Sequence, residues 1–131
     1  MNLAAAPVRD ATIIAIVDDD DAVRSALKTL LRSVGYKVRT YCNAYEFLNA
    51  NAAAEVHCLV SDIQMPLMSG VEMYEELFAK GYNIPTIFIT GYPEAAPRLG
   101  VGTPDMVALL PKPCDADRLL NCIETALLQR Q

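Results

Sequence analysis

The chain contains one histidine, His57, which argues against a histidine-based catalytic triad and removes any multi-histidine metal centre. No apolar run approaches the roughly 20 residues that a membrane span requires, so a soluble domain without membrane insertion is expected. The opening Met1-Asn2-Leu3-Ala4-Ala5-Ala6-Pro7 lacks the basic start and long apolar core of a secretion signal. Residues 1–11 are therefore expected to be a flexible tail, and the domain to be cytoplasmic. Cys42, Cys58, Cys114 and Cys122 form no pair at the short spacings of zinc or redox motifs. They read as thiols without a metal role. A formal charge of −5 with no basic cluster argues against direct nucleic-acid binding.

What is present is one domain's worth of chain: 131 residues, 53% hydrophobic and 21% charged, with residues 12–131 expected to share one core. Thr12 to Val17 (TIIAIV) is a β-rich apolar run, and Ala22 to Val34 then sets Val23, Leu27, Leu30, Leu31 and Val34 at helical spacing before Gly35. Lys37 to Tyr41 alternates like a strand, and Asn43 with Glu46 opens a helix carrying Phe47 and Leu48. Val56 to Ser61 is a third apolar run; Gly70 to Lys80 then reads as a helix ended by Gly81, with Val71, Tyr74, Leu77 and Phe78 inward. Ile84 to Thr90 is nearly continuous and β-branched, as a central parallel strand should be.

The pattern falters where a fourth helix belongs, because Pro93, Pro97, Gly100, Gly102 and Pro104 punctuate the segment. That helix is expected to be short, displaced or missing. Met106 to Leu110 supplies a fifth strand, and Asp115 to Gln129 carries Leu119, Leu120, Ile123 and Leu127 on one face. Such alternation predicts an α/β fold: a five-stranded parallel sheet between two helical layers, a flavodoxin-like (βα)5 three-layer sandwich. Its site should lie beyond the carboxyl ends of the strands.

Asp18 and Asp19 end the first strand, Asp62 the third and Thr90 the fourth, while Lys112 follows the fifth. Carboxylates a few ångströms apart repel by several kcal/mol at an effective dielectric near 20, so the cluster calls for a cation or protons. Mg²⁺ suits it, being a hard ion that keeps waters while using one or two carboxylates and a phosphate. A carboxylate beside such an ion can attack a phosphoryl group. Asp62 is the candidate nucleophile, Lys112 the ammonium that offsets charge, and Thr90 a hydroxyl that donates to a phosphoryl oxygen. An EF-hand is excluded: counted from Asp18, Val23 stands where glycine is required and Thr29 where glutamate belongs.

The stretches IVDDDDAVRSALKTLL, CLVSDIQMPLMSGVEMYEEL, IPTIFITGY and PKP, in this order and at these separations, resemble a response-regulator receiver domain of two-component signalling, a CheY-like fold of the FixJ-like branch. The resemblance covers about Thr12 to Leu128. It implies that Asp18 and Asp19 hold Mg²⁺, Asp19 directly and Asp18 through water, with Asp62 as phospho-acceptor and ligand. It further implies that the Gln64 backbone carbonyl completes the metal shell, that Thr90 is the switch hydroxyl, that Lys112 contacts the phosphate, and that Pro113 is cis. Asp20 and Asp21 are then left to start the helix.

Three features depart from the family pattern. Leu109 stands three positions before the lysine, where an aromatic switch residue is usual, and Pro111 directly precedes Lys112. The segment after Thr90 lacks the amphipathic helix of the usual signalling face, so residues 91–105 are expected to be the moving part. Tyr92 reads either as a tuner of phosphate hydrolysis or as a solvent-facing loop residue. The resulting expectation is a stand-alone phosphorylation switch rather than an enzyme. It would receive its phosphoryl group from a sensor histidine kinase or phosphotransfer protein and signal to a downstream protein target, with dimerisation open. Alternatives are a phosphorylation-independent pseudo-receiver, a receiver fragment of a longer transcriptional regulator, and a small aspartate-nucleophile phosphatase. The last is disfavoured because Gln64 stands where an acid/base aspartate is needed.

Overall fold

Five short runs of mostly β-branched and apolar residues become the strands of one sheet: β1 (Ile13–Val17), β2 (Lys37–Tyr41), β3 (Cys58–Asp62), β4 (Thr86–Thr90) and β5 (Met106–Pro111). The computed structural model describes residues 11–92 and 106–130. The tail expected over residues 1–11 lies almost wholly outside them. So does most of the segment expected to hold an altered fourth helix and to move.

Four helices are seen among the described residues: α1 (Asp21–Ser33), α2 (Ala44–Asn49), α3 (Gly70–Ala79) and α4 (Ala116–Arg130), with a 3₁₀ turn at Ala53–Glu55. All strand pairs are parallel, in the order β2-β1-β3-β4-β5. Alternation along β1 sends Ile14 and Ile16 to one face, where they join Leu27 and Leu31 of α1 and Leu119 and Ile123 of α4. Ala15 and Val17 point the other way, toward Phe47 of α2 and Met73 and Leu77 of α3. Both faces of the sheet are thus covered, which is why its central strands β3 and β4 are buried at every position.

Local signals place the helix ends. Asp20 is the N-cap of α1, its carboxylate accepting from the N–H groups of Ala22 and Val23. Ser69 caps α3 through a full capping box with Glu72. Gly35 and Gly81 sit at positive φ after α1 and α3. In each case the glycine and the residue after it return N–H bonds into the last turn: Gly35 to Arg32 and Tyr36 to Leu31, Gly81 to Phe78 and Tyr82 to Leu77.

One expected face needs correction. Phe78 is 48% exposed, and Met73 is the buried residue instead, beside Tyr74 and Leu77. The buried stripe of α3 therefore runs through 70, 73, 74 and 77, a three-and-four spacing that leaves Phe78 one step past the edge.

The chain leaves β1 toward β2 on one side and returns to β3 on the other, so the order reverses between β1 and β3. In open parallel sheets a crevice forms beyond the carboxyl ends at this point. Asp18 follows β1 and Asp62 ends β3, so the reversal itself brings these residues together.

Candidate functional site

Asp18, Asp19 and Asp62 converge at that crevice, each offering one carboxylate oxygen, and these oxygens all lie within 4.8 Å of one another. Asp18 is completely buried and Asp62 nearly so, whereas Asp19 faces solvent. Lys112 reaches in from the end of β5. Its Nζ is 3.1 Å from Asp62 Oδ2 and 3.0 Å from Asp18 Oδ2. The contact with Asp62 is a hydrogen bond. The contact with Asp18 is close enough for an ion pair, yet Asp18 Oδ2 has no hydrogen-bond donor at an acceptable angle among the described residues. That contact is an ion pair without a directed hydrogen bond.

The backbone holds these groups in place. Asp18 N–H donates to the Tyr41 carbonyl at 3.1 Å, Ile63 N–H to Ile89 at 3.1 Å, and Lys112 N–H to Thr90 at 2.7 Å. The ends of neighbouring strands are thereby tied together around the crevice. Asp62 Oδ1 accepts the Gln64 N–H at 3.2 Å, so Gln64 enters the site through its backbone. Thr90 is fully buried, and its Oγ1 accepts the Tyr92 N–H at 3.0 Å, while Tyr92 itself is exposed. The peptide bond between Lys112 and Pro113 is cis. Leu109 packs against Ile63, Tyr74 and Phe88.

One ammonium serves at least two carboxylates, and the charge balance shows in the titration behaviour. Burial pushes the Asp62 carboxyl above the ordinary carboxylate range; the Lys112 hydrogen bond opposes this and the charge of Asp18 adds to it. Burial alone would lower Lys112, but its close contacts with the Asp18 and Asp62 carboxylates and their charge outweigh it, so the lysine stays charged to higher pH than usual. The excess negative charge, the all-oxygen donor set and the buried Asp18 oxygen without a donor fit a hard divalent cation. The residues available to hold it are Asp18, Asp19 and Asp62.

Two groups supporting the site escaped the sequence reading. Gly70, the first residue of α3, donates its N–H to the Ile63 carbonyl at 2.8 Å. A Cβ there would fall 2.2 Å from the Asp62 carbonyl oxygen and 2.9 Å from Ser61 Oγ. Only glycine lets the helix start so close to the strand that ends in Asp62. Arg24 donates from Nη1 to the Asp18 carbonyl at 2.7 Å and from Nη2 to Asp21. Its place four residues after the N-cap Asp20 was the available signal.

A doubly covered parallel sheet with paired acids, a strand-end aspartate and a lysine at its carboxyl edge defines a receiver-type switch domain. Residues 14–124 match the sequence model of the response regulator receiver domain, and the chain belongs to that family. It is 40% identical over 119 residues to the response regulator protein TmoT of Ectopseudomonas mendocina, covering 88% of this chain and 53% of that protein. To the transcriptional regulatory protein FixJ of Bradyrhizobium diazoefficiens it is 35% identical over 121 residues, with 90% and 58% covered. Among solved structures, response regulator StyR superposes with a TM-score of 0.84 at 37% identity, over 91% of this chain and 60% of that one. FixJ-N gives 0.72 at 32% identity, over 88% and 93%. The chain spans about half the length of the curated relatives it matches.

Proposed function

We propose that this receiver is a phosphorylation-controlled switch in which Asp62 accepts a phosphoryl group from the phosphohistidine of a sensor kinase or phosphotransfer protein. The observation that carries this reading is the position of Asp62: at the end of a central strand, 3.1 Å from Lys112 and within 4.8 Å of two further carboxylates. A carboxylate oxygen of Asp62 attacks phosphorus, the P–N bond breaks, the imidazole departs and takes up a proton from solvent, and an acyl phosphate remains. Asp18, Asp19, Asp62 and the Gln64 carbonyl would hold Mg²⁺, which would supply the positive charge that the transferring oxygens need.

Lys112 then follows the charge from the carboxylate to a phosphoryl oxygen. Thr90 already accepts the Tyr92 N–H, so its own hydroxyl proton remains to be donated to the phosphate. That donation draws Thr90 and the loop beyond it inward and biases an existing equilibrium. The signal leaves by protein contact. A specific observation favours a receiver working inside a longer regulator as a second reading, since this chain covers only 53% of TmoT and 58% of FixJ.

Beryllofluoride, a non-covalent stand-in for the acyl phosphate, tests the switch. A bound ¹⁹F signal that requires Mg²⁺ and disappears in Asp62→Asn is expected. A signal that persists in the variant would remove Asp62 from the role.

A further inference from the structure

Arg24 is the first cation after four consecutive aspartates, Asp18 to Asp21, and its side chain is only 18% exposed. Nη1 donates to the Asp18 backbone carbonyl at 2.7 Å, and Nη2 donates to the Asp21 carboxylate. The guanidinium therefore bridges the residue that follows β1 and the residue that begins α1. Three other bonds converge on the same short loop. Asp18 N–H is held by Tyr41 at 3.1 Å, Asp20 N–H donates to Asp18 Oδ1 at 2.9 Å, and the N–H of Arg24 donates to the Asp20 carbonyl at 3.0 Å. Asp19 is carried between two residues fixed in this way, so the direction of its carboxylate depends on how firmly the loop is held.

We propose that Arg24 is a positioning residue for the cation site: its guanidinium fixes the loop so that the carboxylates of Asp18 and Asp19 converge with that of Asp62. The proposal rests on the reading of those three aspartates as cation ligands. Arginine suits the task because its planar fork presents two donors in a fixed relation, whereas lysine offers one compact charge. Beside the guanidinium lies a polar cleft of about 220 Å³ lined by Asp21, Arg24, Ser25, Lys28 and Thr40. A shortened side chain at position 24 would open the Asp18 carbonyl to water from that cleft and leave the loop without its bridge.

Charge and positioning make opposite predictions for the same substitutions. A guanidinium near the site repels a divalent cation, so a purely electrostatic role predicts that Arg24→Gln tightens Mg²⁺ binding and that Arg24→Lys leaves it unchanged. Positioning predicts that both variants weaken it, by about tenfold, as loss of groups that orient metal ligands commonly does.

The test is Mg²⁺ titration followed by backbone amide NMR on the wild type, Arg24→Lys, Arg24→Gln and Asp18→Asn, with amide hydrogen exchange measured in the metal-free proteins. In both Arg24 variants the Asp20 amide, whose acceptor is Asp18 Oδ1, should exchange severalfold faster. The Val60 amide in β3 should not change, which shows that the fold is intact. Tighter Mg²⁺ binding in Arg24→Gln with unchanged binding in Arg24→Lys would overturn the proposal, and so would unaltered Asp20 exchange in both. Mg²⁺ binding indifferent to Asp18→Asn would sink the cation-site reading itself. The Asp20 exchange would then decide alone whether Arg24 holds the loop.

Discussion

Replacing Asp62 by asparagine should make the metal-free protein more stable at pH 7, although it deletes an ion pair. At an effective dielectric near 20, unit charges no more than 4.8 Å apart repel by at least about 3.5 kcal/mol. Asp62 faces one such buried neighbour, Asp18, while Asp19 faces solvent, which screens its charge. The attraction of Asp62 to Lys112 at 3.1 Å is about 5 kcal/mol on the same scale. Burial is the largest cause opposing ionised Asp62, and together with the charge of Asp18 it outweighs the Lys112 attraction, which is why the carboxyl is raised. We expect Asp62→Asn to stabilise the protein by about 1–2 kcal/mol in EDTA, or roughly 3–6 °C in Tm. The sign follows from linkage. A carboxyl raised above its ordinary value of 3.8 contributes stability below that pH and loses it as pH rises through the folded value. The advantage of the variant should accordingly vanish in acid and grow toward neutrality. Mg²⁺ should reverse the order, since a ligand at a hundredfold its Kd adds about 2.7 kcal/mol to the wild type alone. Urea titrations with EDTA and with Mg²⁺ at several pH values measure all of this. A variant no more stable than wild type in EDTA at pH 7 would refute the charge-excess argument.

Gly70→Ala should cost about 1–3 kcal/mol, as overpacked sites do, because its Cβ would meet the Asp62 carbonyl at 2.2 Å. The same variant should slow phosphorylation by acetyl phosphate, and a normal rate would show that the approach of α3 does not matter to Asp62. Leu67 holds a φ of 74° while 85% exposed, so Leu67→Gly removes backbone strain at little loss of burial. A net gain of about 0.5–1 kcal/mol by chemical denaturation is expected after the entropy of glycine is set against it. Lys112, raised above 10.5, contributes stability that is present below that pH and lost as pH rises through its folded value. Lys112→Met should flatten that alkaline limb in metal-free unfolding curves, and an unchanged limb would assign the loss to other groups.

The alternation of apolar runs and helical stripes was enough to read the parallel sheet, because strands buried on both faces and amphipathic helices leave different periods in a sequence. Once the sheet is parallel, Asp18, Asp62, Thr90 and Lys112 must gather at one edge, whatever the strand order. The order β2-β1-β3-β4-β5 agrees with the flavodoxin-like reading, although periodicity alone does not carry it, since it depends on how β1 sits between β2 and β3. The inward face of α3 was misjudged at Phe78 because an aromatic residue beside a buried stripe looks like part of it. The support from Gly70 and Arg24 was hidden for a different reason. Each acts on a backbone carbonyl, of Asp62 or of Asp18, and a carbonyl carries no residue identity in a sequence.

Intact mass after incubation with acetyl phosphate tests the central claim most directly. The account predicts one added phosphoryl group that requires Mg²⁺, is absent from Asp62→Asn, and is lost on treatment with hydroxylamine as an acyl phosphate should be. No added mass in the wild type, or the same added mass in Asp62→Asn, would contradict it.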